Sequence, residues 1–247
     1  MVIGGFLPTT LLDYPEKLAC TVFTCGCNFR CPFCQNGTLA LGAAPEYEQS
    51  GDILERIKKR KNILEGVCIT GGEPTLQKDL PDFLKAVKDM GLLVKLDTNG
   101  NRPDVIKSLY QEGLIDYVAM DIKSSRENYP AVSGIPGLPA AAIEESIEFL
   151  IHSGIAYEFR TTLVKGLHTY EDMEAIAAWL KGADKYYLQS YEDSELILCK
   201  LTSSSTDSIT DADTALESFS EEELQQFLQI ARRTIPSAAL RGISFVG

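Results

Sequence analysis

Three cysteines in one short stretch are the residues of this chain best suited to chemistry. Cys27, Cys31 and Cys34 stand at offsets of zero, four and seven, and an apolar, β-prone run at 18–24 precedes them. The pattern predicts three thiols on one loop that leaves the end of a strand. Thiolates favour iron–sulfur clusters, zinc and Cu(I). Because a four-iron cluster commonly takes four cysteines, three local ligands would leave one metal position open for chemistry.

A closed structural zinc site is the alternative for the same thiols. Zinc would need a fourth ligand, which Cys25, Cys20 or a distant residue could supply. The chain has seven cysteines, an odd number, and three of them crowd one loop. This usage argues against a secreted disulfide framework and for metal or redox chemistry in a reducing compartment.

Composition limits the protein class and the partners. The chain has 247 residues and is 45% hydrophobic, which suits one domain of barrel size or two small ones. No run of 18 apolar residues occurs and the start lacks secretory features, so we expect a cytoplasmic protein without a membrane span. A net charge of −12 repels phosphate backbones, so nucleic acid is not an expected partner.

Short apolar strands alternate with helices of about 10–15 residues, which predicts βα units and a parallel sheet. The predicted strands are 18–24, 66–70, 92–96, 117–120, 157–164 and 185–189. The predicted helices begin near Ser50, Asp79 and Pro103, and continue at 141–152, 169–181 and 221–233. We predict an irregular lead-in or short edge strand at 6–16. We also predict a mobile loop with at most a little structure at 191–219 and a candidate final strand at 240–246.

Two folds fit this alternation, a (β/α) barrel and an open doubly wound sheet. The polar segments that could carry chemistry follow the first four predicted strands, each at a carboxyl end. A barrel gathers such loops over one mouth, whereas an open sheet gathers them only around its switch point. The sequence therefore favours the barrel.

The C-x3-C-x2-C spacing, with aromatic Phe33 just before the last cysteine, resembles the signature of the radical S-adenosylmethionine (radical SAM) superfamily. The resemblance implies an α/β fold, a partial (β/α)6 TIM-like barrel with parallel strands, as a single domain over 1–247 with its core at about 17–190. It implies that Cys27, Cys31 and Cys34 hold three irons of a [4Fe-4S] cluster. S-adenosylmethionine (SAM) would chelate the fourth iron, with Phe33 near its adenine.

Gly71, Gly72 and Glu73 end the second predicted strand. Two glycines let a backbone approach a ligand closely, and Glu73 adds an acceptor. The segment resembles the GGE motif of the family, which implies that these three residues bind the SAM amino group. A tight turn followed by an exposed glutamate is the structural alternative.

Two further segments resemble those of the glycyl-radical-enzyme activases, D-T-N-G at 97–100 and D-x-K at 121–123. The resemblance implies that Asp97, Thr98 and Asp121 hold a monovalent cation near SAM. Thr98, Asn99, Asp121 and Lys123 would bind the cofactor, with Lys123 on its ribose. Two carboxylates converging at a barrel mouth need a cation or a proton between them. Ordinary turn residues and a solvated lysine are the alternative.

Arg160 and Asp13 complete the candidate site. Arg160 lies in a predicted strand, where an unpaired charge is costly. The family places an arginine there on SAM, and a salt bridge with Glu158 or a surface position is the alternative. Asp13 lies in a segment that resembles the D-x-P-G lead-in of activases, which implies a catalytic position near the incoming substrate loop. Glu16 stands where that lead-in usually has glycine.

The resemblance covers residues 9–190 or so and is closest to activating proteins of anaerobic ribonucleoside-triphosphate reductase. It implies reductive SAM cleavage to methionine and a 5′-deoxyadenosyl radical, which takes hydrogen from a backbone glycine of a partner glycyl radical enzyme. Flavodoxin or ferredoxin would donate the electron. Two other functions stay open: a radical SAM enzyme acting on a small molecule such as a deazapurine, and a non-catalytic metal-binding module.

Overall fold

The computed structural model describes residues 1–44, 46–203 and 216–242. The strands are β1 Ile3–Thr10, β2 Ala19–Thr24, β3 Gly66–Gly71, β4 Leu93–Thr98, β5 Tyr117–Asp121, β6 Ala156–Leu163, β7 Tyr186–Ser190 and β8 Ala239–Arg241. The helices are α1 Gly37–Ala40, α2 Ser50–Lys58, α3 Leu80–Asp89, α4 Pro103–Gln111, α5 Tyr129–Ser133, α6 Ala141–Ser153, α7 Tyr170–Trp179, α8 Leu198–Ser203 and α9 Glu221–Arg232, with one 3-10 turn at Pro74–Leu76.

The chain divides into two compact units. The first consists of Met1–Asn28, Thr38–Met120 and Ala142–Tyr157. The second consists of Phe29–Gly37, Asp121–Ala141 and Glu158–Gly247. No helix within the described ranges is long and apolar enough to cross a membrane.

The sheet of the first unit follows chain order. β1 pairs antiparallel with β2, and β2 to β5 are parallel neighbours. Their register aligns four side chains in one row across the strands, namely Thr21, Cys68, Lys95 and Tyr117. The row places Cys68 beside Lys95 on neighbouring strands. The helices cover the strands with apolar stripes, as α3 does with Leu80, Phe83, Leu84 and Val87.

The second unit contains the parallel strands β6, β7 and β8. The helices α7 and α9 pack together, with the rings of Tyr170 and Phe227 centred 4.6 Å apart. Each helix begins with a capping box, in which a hydroxyl and an acidic side chain satisfy backbone N–H groups in both directions.

The predicted α/β class with parallel strands is confirmed, and each of the six predicted strands forms within two residues of its expected bounds. Of the two alternatives for the lead-in, the edge strand is correct at 6–10, where the backbone pairs with β2 as part of β1, which begins earlier than expected, at Ile3. Asp79 precedes α3 as expected, but its carboxylate binds the N-terminal ammonium instead of capping the helix.

The predicted loop at 191–219 contains the six-residue helix α8, which agrees with the expectation of at most a little structure there. Residues 204–215 lie outside the described part of the chain. The candidate final strand forms as β8, and residues 243–246 of that prediction also lie outside the described residues. The prediction of a single domain over 1–247 stays a prediction.

Candidate active site

The glycine pair after β3 meets the loop after β2 in the first unit. The N–H of Gly72 donates to the Thr24 carbonyl, and the N–H of Glu73 donates to the Gly26 carbonyl, both at 2.8 Å. A Cβ on Gly72 would overlap the Gly26 carbonyl oxygen. The backbones approach so closely that only glycine fits at position 72. Gly71 has a φ of 110°, which also favours glycine.

The carboxylate of Glu73, which follows the glycine pair, is buried, with 1% of the residue's surface exposed. Its Oε1 accepts the Thr98 hydroxyl at 2.8 Å, and its Oε2 accepts the Asn99 N–H at 2.7 Å. Both the N–H and the hydroxyl of Thr75 also donate to Oε1. Burial raises the pKa of Glu73, although these donors favour the charged form. The alternative of an exposed glutamate after a turn is therefore wrong.

Asn99 joins the end of β4 to the first cysteine of the loop. Its side-chain amide donates to Asn28 Oδ1 at 2.8 Å and lies 3.9 Å from the Sγ of Cys27. The sequence assigned Asn99 to cofactor binding, and no pattern in it indicated this contact. Hydrogen bonds to cluster sulfurs tune reduction potential, so Asn99 stands where it could influence a metal bound by Cys27.

A buried ion pair lies on the same strand. The Lys95 ammonium donates to Asp97 Oδ1, and only 2% of the Lys95 side chain is exposed. The Sγ of Cys68 lies 3.7 Å from the Lys95 Nζ and 3.7 Å from Asp97 Oδ1. Sequence analysis did not single out Lys95. Its signal was a charged residue two positions before Asp97 in an apolar strand, which places both side chains on one face.

Asp13 follows β1, where its carboxylate accepts the hydroxyl of Thr21. Its N–H donates to the side chain of Thr10 at 3.3 Å. Glu16 has a φ of 60°, in the left-handed region that favours glycine. The lead-in thus keeps the backbone conformation of a glycine although the residue type differs.

Asp121 in the second unit has two cationic partners. Arg160 Nε lies 2.9 Å and Lys123 Nζ 3.1 Å from its carboxylate oxygens. Removal from water would raise the pKa of Asp121, but the two cations outweigh this effect and lower it to about 2. Arg160 is therefore paired with Asp121, and Glu158, the other partner considered for it, is bound by both terminal nitrogens of Arg241, at 2.6 and 2.9 Å.

Lys123 stands between this carboxylate and the cysteine loop. Its Nζ lies 5.9 Å from the centre of the Phe33 ring. Burial alone would lower the Lys123 pKa, but Asp121 and the thiols of Cys31 and Cys34 raise it. Burial also raises the pKa of the Cys34 thiol, which Lys123 opposes. A permanent cation beside two thiols favours their thiolate forms, which are the forms that bind metals.

His168, which has no role predicted from the sequence, contacts the backbone of Lys123. Its Nε2 lies 2.7 Å from the Lys123 carbonyl oxygen, and its ring packs edge-on against Phe33 with centres 6.4 Å apart. Burial lowers the pKa of His168, which favours a neutral ring. His168 therefore contacts both Lys123, in the loop after β5, and Phe33, in the cysteine loop.

The start of α8 holds the cysteine loop from the other side within the second unit. The N–H of Leu198 donates to the Cys34 carbonyl and the N–H of Cys199 to the Pro32 carbonyl, both at 3.1 Å. The Cys34 N–H itself donates to the Cys31 carbonyl, also at 3.1 Å, which forms a tight turn. Sequence analysis treated this part of the chain as a mobile loop, because local composition does not indicate a distant backbone partner.

The donor set suits thiolate ligation. None of the seven cysteines, all of which lie among the described residues, is in a disulfide, and Lys123 supplies positive charge beside two of them. Cys27 belongs to the first unit and Cys31 and Cys34 to the second. Among the described residues, no preformed group of three His, Cys, Asp or Glu side chains stands ready to hold a metal ion. The ligand assignment therefore rests on the spacing and chemistry of the loop. Cys20 is a poor spare ligand, because burial raises its pKa to about 12.

Comparison with known proteins relates the chain to several enzymes. A Methanocaldococcus jannaschii protein named as a candidate glycyl-radical enzyme activating enzyme is 31% identical over 250 residues, which cover 98% of this chain and 97% of the relative. A Thermococcus kodakarensis protein named a probable GTP 3′,8-cyclase is 33% identical over 159 residues. That match covers 62% of this chain and only half of the relative.

Solved structures share the fold. A radical SAM methyltransferase from Sphaerobacter thermophilus superposes with a TM-score of 0.66 at 18% identity, over 94% of this chain and 68% of the other. This similarity confirms the predicted TIM-barrel-like fold class. The family model of the radical SAM superfamily matches residues 21–180, well over half of the sequence. The chain belongs to the radical SAM superfamily.

Proposed function

We propose that this radical SAM enzyme is an activase that generates a glycyl radical on a partner enzyme. One observation carries the proposal: the similarity to a relative named for that activity extends over 98% of this chain and 97% of the relative. It therefore includes the lead-in with Asp13, which lies outside the residues matched by the superfamily model. The similarity to the cyclase covers a smaller part of both proteins.

Cys27, Cys31 and Cys34 would hold a [4Fe-4S] cluster, and SAM would bind beside it. When bound, this pair supplies one-electron cleavage of SAM to methionine and a 5′-deoxyadenosyl radical, which removes hydrogen from a glycine Cα. Gly71 and Gly72 would bind the SAM amino group, and because neither residue has a Cβ, the backbone of the loop after β2 packs directly against them.

The charged side chains would orient the cofactor. Asp121 holds the Lys123 ammonium and the Arg160 guanidinium in fixed positions, so both can present positive charge to the polar groups of SAM. Lys123 would contact the ribose and Phe33 the adenine. Asp13, anchored by Thr21, would stand near the incoming glycine loop. No group in this scheme has to act as a general base.

Anaerobic ribonucleoside-triphosphate reductase is the partner we propose, with flavodoxin or ferredoxin as electron donor. The test uses anaerobically reconstituted protein, SAM, dithionite and the purified reductase. We expect equal amounts of methionine and 5′-deoxyadenosine, together with the doublet of a glycyl radical in the electron paramagnetic resonance spectrum of the reductase. A reductase variant with alanine at the glycyl position is the control and should give no doublet.

The similarity to a cyclase keeps a second candidate function, action on a small purine-like substrate. Incubation with GTP in place of the reductase distinguishes the two. Nucleotide consumption that depends on SAM cleavage, without any protein radical, would overturn the activase proposal. SAM cleavage stimulated only by the protein partner would support it. A reconstituted protein that binds iron but never cleaves SAM would indicate a non-catalytic module instead.

A further inference from the structure

The carboxylate of Asp97, which the family resemblance assigns to a monovalent metal cation, already has a cation from this chain. We propose that the Lys95 ammonium takes the place of that metal cation, so that the site works without bound Na⁺ or K⁺. The inference concerns the SAM site of the proposed function, but it rests on the ion pair itself.

The position of Lys95 suits this role. Its Nζ donates to Asp97 Oδ1, and the Sγ of Cys68 lies 3.7 Å from the Nζ. The lysine is 2% exposed and the aspartate 13% exposed, so solvent counterions have little access to the contact. A buried lysine is rarely found without a partner, and a carboxylate left unpaired in such a place is costly. An ammonium carries the same single charge as Na⁺ or K⁺. Because it belongs to a side chain of the same strand, it is present at Asp97 whatever the salt concentration.

The other expected ligands are also satisfied within their own units. The Thr98 hydroxyl donates to Glu73 at 2.8 Å and accepts the N–H of Gly100 at 3.1 Å. Asp121 is bound by Arg160 and Lys123. Asp97 in the first unit and Asp121 in the second thus each have a cationic partner from their own unit. Hard metal cations select oxygen ligands that bring negative charge, and each of these carboxylates already has a positive charge beside it.

A purely structural ion pair would also be buried, so the test must separate the two roles. The first arm measures the unchanged, reconstituted full chain. At constant ionic strength, Na⁺, K⁺ and the bulky tetramethylammonium should support SAM binding and SAM cleavage within twofold of one another. The ²³Na NMR line of added NaCl should show no saturable broadening. A saturable Na⁺ site that Asp97→Asn removes would overturn the proposal.

The second arm removes the tethered charge. Lys95→Met leaves the Asp97 carboxylate buried without its partner, and we expect the melting temperature to fall by roughly 10 °C in tetramethylammonium chloride. Na⁺ or K⁺ should enter the vacated position and restore at least half of this loss, with saturable dependence on concentration. The Lys95→Met/Asp97→Asn double variant has no charge to satisfy and should not respond to the ion.

Lys88→Met is the matched control. Lys88 contacts both oxygens of Asp116 at 2.7 Å, but this pair is 25% and 29% exposed, so water already satisfies the carboxylate. It should gain no specific response to Na⁺ or K⁺. If Lys95→Met showed the same response as Lys88→Met, Lys95 would be an ordinary structural partner and the proposal would be wrong. If Lys95→Met does not fold, the first arm alone decides. Neither the melting nor the NMR measurement requires SAM cleavage or a partner enzyme, so their failure is distinct from failure of the proposed activity.

Discussion

The Oε2 atom of Glu73 accepts the backbone N–H of Asn99 at 2.7 Å, which connects the second residue after β3 to the first residue after β4. The other carboxylate oxygen accepts the Thr75 N–H at 3.1 Å. Each carboxylate oxygen therefore accepts a hydrogen bond from a backbone N–H, which cannot rotate to another partner as a side-chain donor can. The GGE and D-T-N-G segments, which have 23 residues between them in sequence, are connected through the side chain of Glu73.

Glu73→Gln should destabilise the protein although it keeps the side-chain size. An amide has only one oxygen, so in either orientation its NH₂ group faces one of the two backbone N–H groups. Leaving a buried donor unsatisfied costs about 1–3 kcal/mol, and removal of the buried charge offsets a part. We expect the free energy of unfolding in urea to fall by about 1–2 kcal/mol.

Glu65→Gln is the control for this prediction. Glu65 also accepts a backbone N–H, that of Leu18 at 2.9 Å, but its side chain is half exposed and water can replace the bond. We expect little change in stability. An equal fall in unfolding free energy in the two variants would show that the burial of Glu73 does not strengthen the effect of its backbone hydrogen bonds.

Gly72→Ala should disrupt the loops that surround the first cysteine. The added methyl would overlap the Gly26 carbonyl oxygen, a backbone atom that also accepts the Glu73 N–H. Backbone cannot yield as a flexible side chain does, so we expect a loss of about 2 kcal/mol or more in unfolding free energy, within the range for overpacking. Reconstituted iron content should fall with it.

Gly51→Ala provides the comparison, because it lies in α2 with open space around the added methyl. Alanine is favoured over glycine in a helix by roughly 0.5–1 kcal/mol, so this variant should melt at a higher temperature than the unchanged protein. A similar fall in both melting temperatures would contradict the steric argument.

Glu16→Gly should stabilise the lead-in. Glu16 adopts a φ of 60°, which costs a residue with a Cβ roughly 1–2 kcal/mol, whereas glycine adopts it freely. The greater entropy of glycine in the unfolded chain removes part of this gain. We expect a net increase of about 0.5 kcal/mol in unfolding free energy, measured in urea. Gly91→Glu is the reverse change at a residue with a φ of 80° and open space around it, and it should lower the unfolding free energy. Loss of stability in Glu16→Gly would mean that its side chain contributes more than its backbone costs.

The sequence predicted the strands and most helices because their signals are local. Apolar runs and glycine stops define β2 to β7, and these appear within two residues of their expected bounds. β1 was predicted only as one of two alternatives and only from residue 6, because its residues include Gly4, Gly5 and Pro8, which weaken a strand pattern. Only its pairing with β2 makes it a strand, and pairing is not visible in one segment.

The candidate site was predictable to the level of residue type, and its partners were not. The glycine pair, the cysteine spacing and the two aspartates could be found in the sequence, because they sit at strand ends. The contacts of Asn99 with Cys27, and of Lys95 with Asp97 and Cys68, depend on register between strands. His168 reaches the Lys123 carbonyl across 45 residues, which no short pattern reports.

Cys31→Ala should abolish iron binding by the cysteine loop. A cluster with only two of its three protein ligands is not retained, so we expect less than a tenth of the iron and sulfide of the reconstituted protein, on the view that the cluster requires all three. Iron analysis and the visible absorption of the cluster measure this loss. Full iron content in this variant would contradict the ligand assignment.

Cys25→Ala and Cys199→Ala are the controls for that variant. Cys25 was the alternative fourth ligand of a zinc site, and Cys199 meets the loop through its backbone N–H at 3.1 Å from the Pro32 carbonyl. Neither thiol belongs to the proposed ligand set, so both variants should keep their iron. Loss of metal in Cys25→Ala, with zinc in the unchanged protein, would favour the closed zinc site.

The ion pair network of Asp121 should make stability depend on pH in the acid range. The folded pKa of Asp121 is about 2, below the usual value of an aspartate in the unfolded chain. The charged form is therefore favoured by folding, and its contribution is present above about pH 4 and lost as the pH falls toward 2. A third of the side chain is exposed, so solvent screening reduces the effect.

The measurement compares the unchanged chain with Asp121→Asn, both free of metal, by urea unfolding between pH 6 and pH 3. The difference in unfolding free energy between them should shrink by about 1 kcal/mol over this range. As the pH falls toward 3, the Asp121 carboxylate becomes protonated in the unfolded chain, whereas in the folded chain it keeps its charge until the pH approaches 2. Asp82→Asn, on the exposed side of α3, should show no such trend. A difference that grows as the pH falls would mean that folding favours the protonated carboxyl, and that Arg160 and Lys123 do not hold Asp121 as an ion.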